Sequence, residues 1–146
     1  MGGGEVLQSR SARRSPSPAR RAELRTRSDA LSQLGSHADP VLHVSESGDA
    51  IVVALTGELD LYNTPALREA LREAAGRAPR RLVVDLSEVT FVDSTALGAF
   101  VEARSTFADG DAFVLAAPGL EVRRALEVSG LDRHFVVCDT VESALA

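Results

Sequence analysis

The hydroxyl groups best placed for chemistry belong to Ser94 and Thr95, which directly follow the carboxylate of Asp93. Apolar residues recur at helical spacing after them, and Asp is a favoured N-cap, so Ser94 is predicted to lie in the first helical turn. A helix N-terminus can accept a phosphate group. From the residues alone, Ser94 is either a phosphate acceptor or a serine that simply suits a helix start.

Catalysis by Ser94 as a nucleophile would need a neighbouring base. The chain has three histidines, at His37, His43 and His134, and no G-x-S-x-G sequence surrounds Ser94. Paired carboxylates for acid–base work are conceivable among three acids, Asp60, Asp85 and Asp93, but no spacing fixes their geometry. No Cys or His cluster has metal-ligand spacing. We therefore expect no catalytic residue, no metal site and no cofactor.

The basic residues narrow the function further, since all sixteen are Arg. Without any Lys, a P-loop lysine, a Schiff base and a kinase-type lysine are excluded. The chain can be phosphorylated, but it is neither a kinase with a P-loop lysine nor one with a protein-kinase-type lysine.

The elements that position Ser94 are a strand and a helix. An apolar run over residues 82–86 predicts a strand covered on both faces, and a second apolar patch follows at Val89 and Phe91. Upstream, a strand over residues 51–55 is predicted to end at Gly57, and Thr64 as N-cap with Pro65 at the first helical position predicts the start of another helix. Helices of ten to fifteen residues alternate with strands along the chain, which predicts parallel pairing. With a first hairpin, the fold is a single α/β domain with a mixed sheet of about four to five strands and about four helices.

Charge divides the chain into two parts. Residues 1–38 hold seven Arg against three acids, whereas residues 39–146 hold nine Arg against eighteen acids. The first part reads as a disordered basic tail, because its Gly, Ser, Pro and Arg cannot form a core. The second part is the folded domain, and its acidity argues against direct nucleic-acid binding and favours a basic partner surface.

The cellular compartment is constrained by what the sequence lacks. There is no apolar run near the length of a membrane span, and the N-terminus does not resemble a secretory signal. The lone Cys138 provides no disulfide framework. We expect a cytoplasmic protein with no membrane span.

Two motifs carry a resemblance to a known family. The run from Leu82 to Phe100 contains D-S-T-A-L-G at residues 93–98, and T-G-E-L-D stands at residues 56–60. Together they resemble STAS domains, and in particular bacterial anti-sigma factor antagonists. A weaker match lies in residues 118–131. The resemblance covers residues 41–146, with Ala96 in place of the Gly of the best-known members.

The resemblance implies a function in partner switching. The unphosphorylated protein would bind an anti-sigma factor and thereby release a sigma factor. The anti-sigma factor, a serine kinase, would phosphorylate Ser94 and end the binding, and a phosphatase acting on phospho-Ser94 would restore it. The residues implied to meet the partner come from both motifs: Gly57, Glu58, Asp60, Asp93, Ser94, Thr95, Ala96 and Leu97.

Two alternatives share the same motifs. The chain could be a STAS scaffold within a larger signalling assembly, or a regulatory subunit of a membrane transport complex that is never phosphorylated. Neither would depend on a phosphate at Ser94.

Deletion of residues 1–38 is expected to leave thermal stability nearly unchanged, because this segment lacks the periodicity of core-forming elements. A fall in melting temperature of more than about 5 °C would contradict its interpretation as a tail.

Overall fold

The computed structural model describes residues 39–146, in which five strands alternate with four α-helices. The strands are β1 (Val41–Ser47), β2 (Ala50–Leu59), β3 (Arg81–Val92), β4 (Phe113–Ala116) and β5 (Val136–Cys138). The helices are α1 (Thr64–Gly76), α2 (Ser94–Ser105), α3 (Leu120–Ser129) and α4 (Val141–Leu145). The predicted tail, residues 1–38, lies outside the described residues.

One sheet contains all five strands, in the order β1-β2-β3-β4-β5. The first pair is antiparallel and is joined by a turn in which Gly48 has a φ of +62°. The other three pairs are parallel, and the two strands of each pair are connected through an α-helix. The prediction of one α/β domain with a mixed sheet is confirmed.

The two central strands are longer than the sequence predicts. Strand β2 continues through Gly57 to Leu59, and β3 includes the second apolar patch at Val89 and Phe91. The pairing register slips between Ala54 and Thr56 and again between Gly57 and Glu58. Gly57 has a φ of +78°, which glycine adopts without strain. These irregularities interrupt the alternation of apolar residues, so the pattern predicts two strands that stop too early.

Helices cover both faces of the sheet. Alternate residues of a strand point to opposite sides, so Leu82 and Val84 face one core while Val83 faces the other. Helices α1, α2 and α3 contribute to the larger core, which includes the fully buried ring of Phe100. Helix α4 packs through Ala144 on the opposite face. In residues 39–146, no helix has both the length and the apolar character needed to cross a bilayer.

Helix ends follow local chemistry, with one difference from prediction. Helix α3 ends at Gly130, whose φ is +79°, and the Thr140 side chain caps α4 by accepting from the Ser143 N–H. At α1, however, the capping position is Asn63 rather than Thr64. Thr64 begins the helix instead, because its hydroxyl donates back to the Asp60 carbonyl at 2.6 Å.

Candidate functional site

Asp93 lies between the ends of the two longest strands and the start of α2. Its carboxylate accepts from the Ala96 N–H at 3.0 Å, as predicted for an N-cap, and from the Thr95 hydroxyl at 2.5 Å. The backbone N–H of Leu61, in the loop that follows β2, also helps to lower the pKa of this carboxyl. The Asp93 N–H donates to the Leu59 carbonyl at 3.0 Å. One residue therefore joins both sequence motifs.

The hydrogen bonds to Asp93 determine its acidity. Partial burial on its own would raise the pKa of this carboxyl, since burial disfavours the charged form. The Thr95 hydroxyl and the backbone N–H groups of Ala96, Thr95 and Leu61 together outweigh burial and hold the pKa below its ordinary value of 3.8. Asp93 is accordingly a carboxylate at neutral pH, and its charge stabilises the helix start.

The loop between β2 and α1 is held by its own polar side chains. The Asp60 carboxylate accepts from the Tyr62 N–H at 3.0 Å and from the Asn63 N–H at 3.3 Å. In return, Asn63 accepts from the Asp60 N–H at 2.8 Å and donates to the Glu58 carbonyl at 2.7 Å. Asn63 is buried, so this network fixes the loop from within. Asn63 is not among the site residues expected from the sequence, although Asp and Asn are both typical of turns.

The N-termini of α1 and α2 are in contact. The hydroxyl oxygens of Thr64 and Thr95 lie 3.3 Å apart, and Thr64 is almost fully buried. Both helices therefore direct the positive ends of their dipoles toward the same region of the surface. The loop that leads into α1 therefore lies beside the start of α2, where Ser94 is located.

Ser94 and Thr95 occupy very different environments. Ser94 is exposed at the first position of α2, and its hydroxyl makes no hydrogen bond within residues 39–146. Thr95 is half-buried, and its hydroxyl contacts both Asp93 and Thr64. Of these two residues, only Ser94 is exposed, with a hydroxyl that is not engaged by the described residues.

The other residues implied to meet a partner differ in accessibility. Glu58 is exposed, and Gly57 and Asp60 are half-buried at the same edge of the sheet. Ala96 and Leu97 are buried, with 0% and 7% of their surface exposed, and both belong to the core beneath α2. Their role in partner binding remains a prediction, and in this structure they support the surface by packing.

Three exposed apolar side chains flank the Asp93 region, and they were not identified as site residues from the sequence. Leu61 and Tyr62 follow Asp60 and are 62% and 70% exposed, while Phe91 precedes Asp93 by two residues and is 48% exposed. Exposed aromatic and aliphatic groups gathered at one place are typical of protein-binding surfaces.

Comparison with known proteins gives a consistent result. The family model described as the STAS domain matches residues 42–144. The anti-sigma-F factor antagonist RsfB of Mycobacterium tuberculosis is 32% identical over 102 residues, covering 70% of this chain and 84% of RsfB.

Solved structures show the same fold. The crystal structure of an anti-sigma factor antagonist from Mycobacterium paratuberculosis has a TM-score of 0.68 and 31% identity, covering 75% of this chain and 95% of that one. SpoIIAA of Bacillus, in its phosphorylated form, has a TM-score of 0.55 and 20% identity, covering 70% and 95% respectively. At that identity the second likeness concerns the fold alone.

Proposed function

The chain belongs to the STAS-domain family of anti-sigma factor antagonists, and on that premise we propose that it binds an anti-sigma factor until Ser94 is phosphorylated. Binding would release a sigma factor for transcription. The anti-sigma factor would act as the serine kinase, and a phosphatase would remove the phosphate from Ser94. Sigma factors act on transcription, so the proposal places the protein in the cytoplasm.

The observation that carries this proposal is the exposed hydroxyl of Ser94 at the first position of α2. The neighbouring Thr95 is engaged by Asp93 and Thr64, which supports Ser94 as the acceptor over Thr95. A phosphate at this position would lie at the positive end of the α2 dipole, where negative charge is tolerated. The domain would therefore remain folded after modification.

The magnitudes indicate that the switch acts at the interface. A negative group at a helix N-terminus changes the free energy of the domain by only about 0.3–1 kcal/mol, and at most about 2 kcal/mol. An unmatched charge buried against a partner disfavours binding by about 2–5 kcal/mol. Phosphate adds about 1.5–2 negative charges beside Asp93 in a domain with nine Arg and eighteen acids. Loss of binding thus requires no change in fold.

Phosphorylation can be tested directly with purified components. We expect incubation with ATP and each purified anti-sigma factor from the same genome to place phosphate on Ser94, as mapped by peptide mass spectrometry. Ser94→Ala is expected to bind the same anti-sigma factor without being modified, because alanine lacks the acceptor oxygen but preserves the helix.

Two outcomes would contradict different parts of the proposal. Phosphate found on Thr95, or found equally in Ser94→Ala, would show that the acceptor site is wrong. If no anti-sigma factor binds either form of the chain, the function itself is wrong.

A further inference from the structure

Gly98 has no structural reason to be a glycine. It is exposed in the interior of α2, and its backbone is helical rather than left-handed. A Cβ atom built at this position would meet no atom within 4 Å. Glycine inside a helix lowers stability relative to alanine, because more backbone freedom is lost on folding. The fold would tolerate, and even favour, a side chain here.

The other glycines of residues 39–146 all have a local explanation. Three have positive φ, namely Gly48, Gly57 and Gly130. At Gly110 a Cβ would come within 2.2 Å of the Arg104 guanidinium. Gly76 is the last residue of α1 and Gly119 is the N-cap of α3, and at such ends a glycine weakens a helix less than in its interior. Gly98 is the exception among the described residues.

The position of Gly98 relates it to Ser94. Residues four apart on a helix lie on the same face, so Gly98 stands one turn beyond the Ser94 hydroxyl. Ala96, Leu97 and Ala99 face the core on the opposite side of α2. A molecule that contacts Ser94 would therefore also lie over Gly98, where no side chain covers the helix backbone.

The surroundings point to a protein rather than to a small ligand. Leu61 and Phe91 present exposed apolar groups next to Asp93, and Glu58, near the end of β2, is an exposed acid. Apolar groups with a charged group at their margin are the composition of a protein interface. The acid favours a basic group on the partner.

We infer that Gly98 is a contact residue of the partner site, where the anti-sigma factor lies close enough to α2 to touch its backbone. This inference rests on the proposed function and extends it from Ser94 to one face of α2. The occupant would be apolar where it meets Leu61 and Phe91 and basic where it meets Glu58. A side chain at Gly98 would hold that surface away from the helix, since interface cores are packed as densely as protein interiors.

The test uses the full-length chain, Gly98→Ala, Gly98→Gln and the control Gly76→Gln. Gly76 is exposed at the far end of α1, and a Cβ there also meets no atom within 4 Å. Melting temperature is measured for every variant, and affinity is measured by calorimetry against the purified anti-sigma factors of the same genome.

Replacement of Gly98 is expected to raise the stability of the domain and to weaken its binding to the partner. Gly98→Ala should raise the melting temperature by about 2–6 °C. Gly98→Gln should remain folded and bind about tenfold or more weakly than the wild type. Gly76→Gln should bind within about twofold of the wild type, since it lies outside the proposed surface.

Several results would overturn the inference. Wild-type affinity in Gly98→Gln would remove Gly98 from the interface while leaving the proposed function intact. A lower melting temperature in Gly98→Ala would show that the fold itself requires the glycine. Self-association of the wild type that is lost in Gly98→Gln, seen by sedimentation, would make a second copy the occupant. If no anti-sigma factor binds the wild type, the proposed function fails, and this inference fails with it.

Discussion

Ser94→Asp is expected to weaken binding of the anti-sigma factor by about 30-fold to several thousand-fold while the domain stays folded. The added carboxylate would lie beside Asp93 and among the exposed apolar groups of Leu61 and Phe91. Under the proposed mechanism, binding of the partner would bury the added charge among these apolar groups, which offer it no hydrogen bond. The loss corresponds to about 2–5 kcal/mol of binding free energy.

A neutral variant separates the effect of charge from that of size. Ser94→Asn has nearly the same shape as Ser94→Asp but no charge, and we expect its affinity to stay within about tenfold of the wild type. Calorimetric titration and circular dichroism of both variants provide the measurement. Equal losses in Asn and Asp would mean that crowding, and not charge, controls binding at this position.

The second large effect is expected at Asp93, where Asp93→Ala should lower the free energy of unfolding by about 2–4 kcal/mol. The substitution removes the helix cap, because the Ala96 N–H and the Thr95 hydroxyl both lose the carboxylate to which they donate. Individual bonds to a carboxylate contribute about 1.5–3 kcal/mol. The total is smaller than their sum because Asp93 is only half-buried and water replaces part of the loss.

A matched control is Asp109→Ala, which removes an exposed aspartate that accepts a single backbone hydrogen bond from Asp111. Urea denaturation of this variant is expected to show a loss of about 0.5–1 kcal/mol. Comparable losses at Asp93 and Asp109 would contradict the role of Asp93 as the junction of two loops.

The contribution of Asp93 should also depend on pH. Because its pKa is lower in the folded state than its ordinary value of 3.8, its charge stabilises the fold above that value. The stabilisation is lost as the pH falls through the lower, folded-state pKa. We therefore expect the stability difference between wild type and Asp93→Asn to be full at neutral pH and to shrink in acid. A difference that is constant from neutral pH to about pH 2 would contradict this account.

Local sequence signals predict some parts of the site well. Asp93 followed by a helical period predicts the N-cap, and the structure contains that cap. Strand lengths are harder, because the bulges near Thr56 and Gly57 destroy the period on which a strand prediction depends. The start of α1 is predicted one residue late. Thr64 is a favoured N-cap residue, but in the structure it is the first helical residue, and its backbone N–H and its hydroxyl both donate to the Asp60 carbonyl.

Other features depend on contacts between distant parts of the chain. The Thr64–Thr95 contact joins residues on separate helices, and no pattern within either helix indicates it. The exposure of Leu61 and Phe91 could not be predicted, since apolar residues at strand ends are more often buried. Gly98 stands out only when the space around it is known, because a glycine in a sequence does not show whether the fold demands it.

Strand β3 ends at Val92, Asp93 follows it, and Ser94 is already the first residue of α2. Ser94 therefore has no flexible segment on either side that would let it enter a deep cleft as an extended peptide. A modifying enzyme would have to recognise the folded domain, including the neighbouring loop that is hydrogen-bonded to Asp93. An unfolded chain would have the same sequence around Ser94 but not that arrangement of loop and helix. Under the proposed mechanism, phosphate on Ser94 would therefore mark only molecules that had folded.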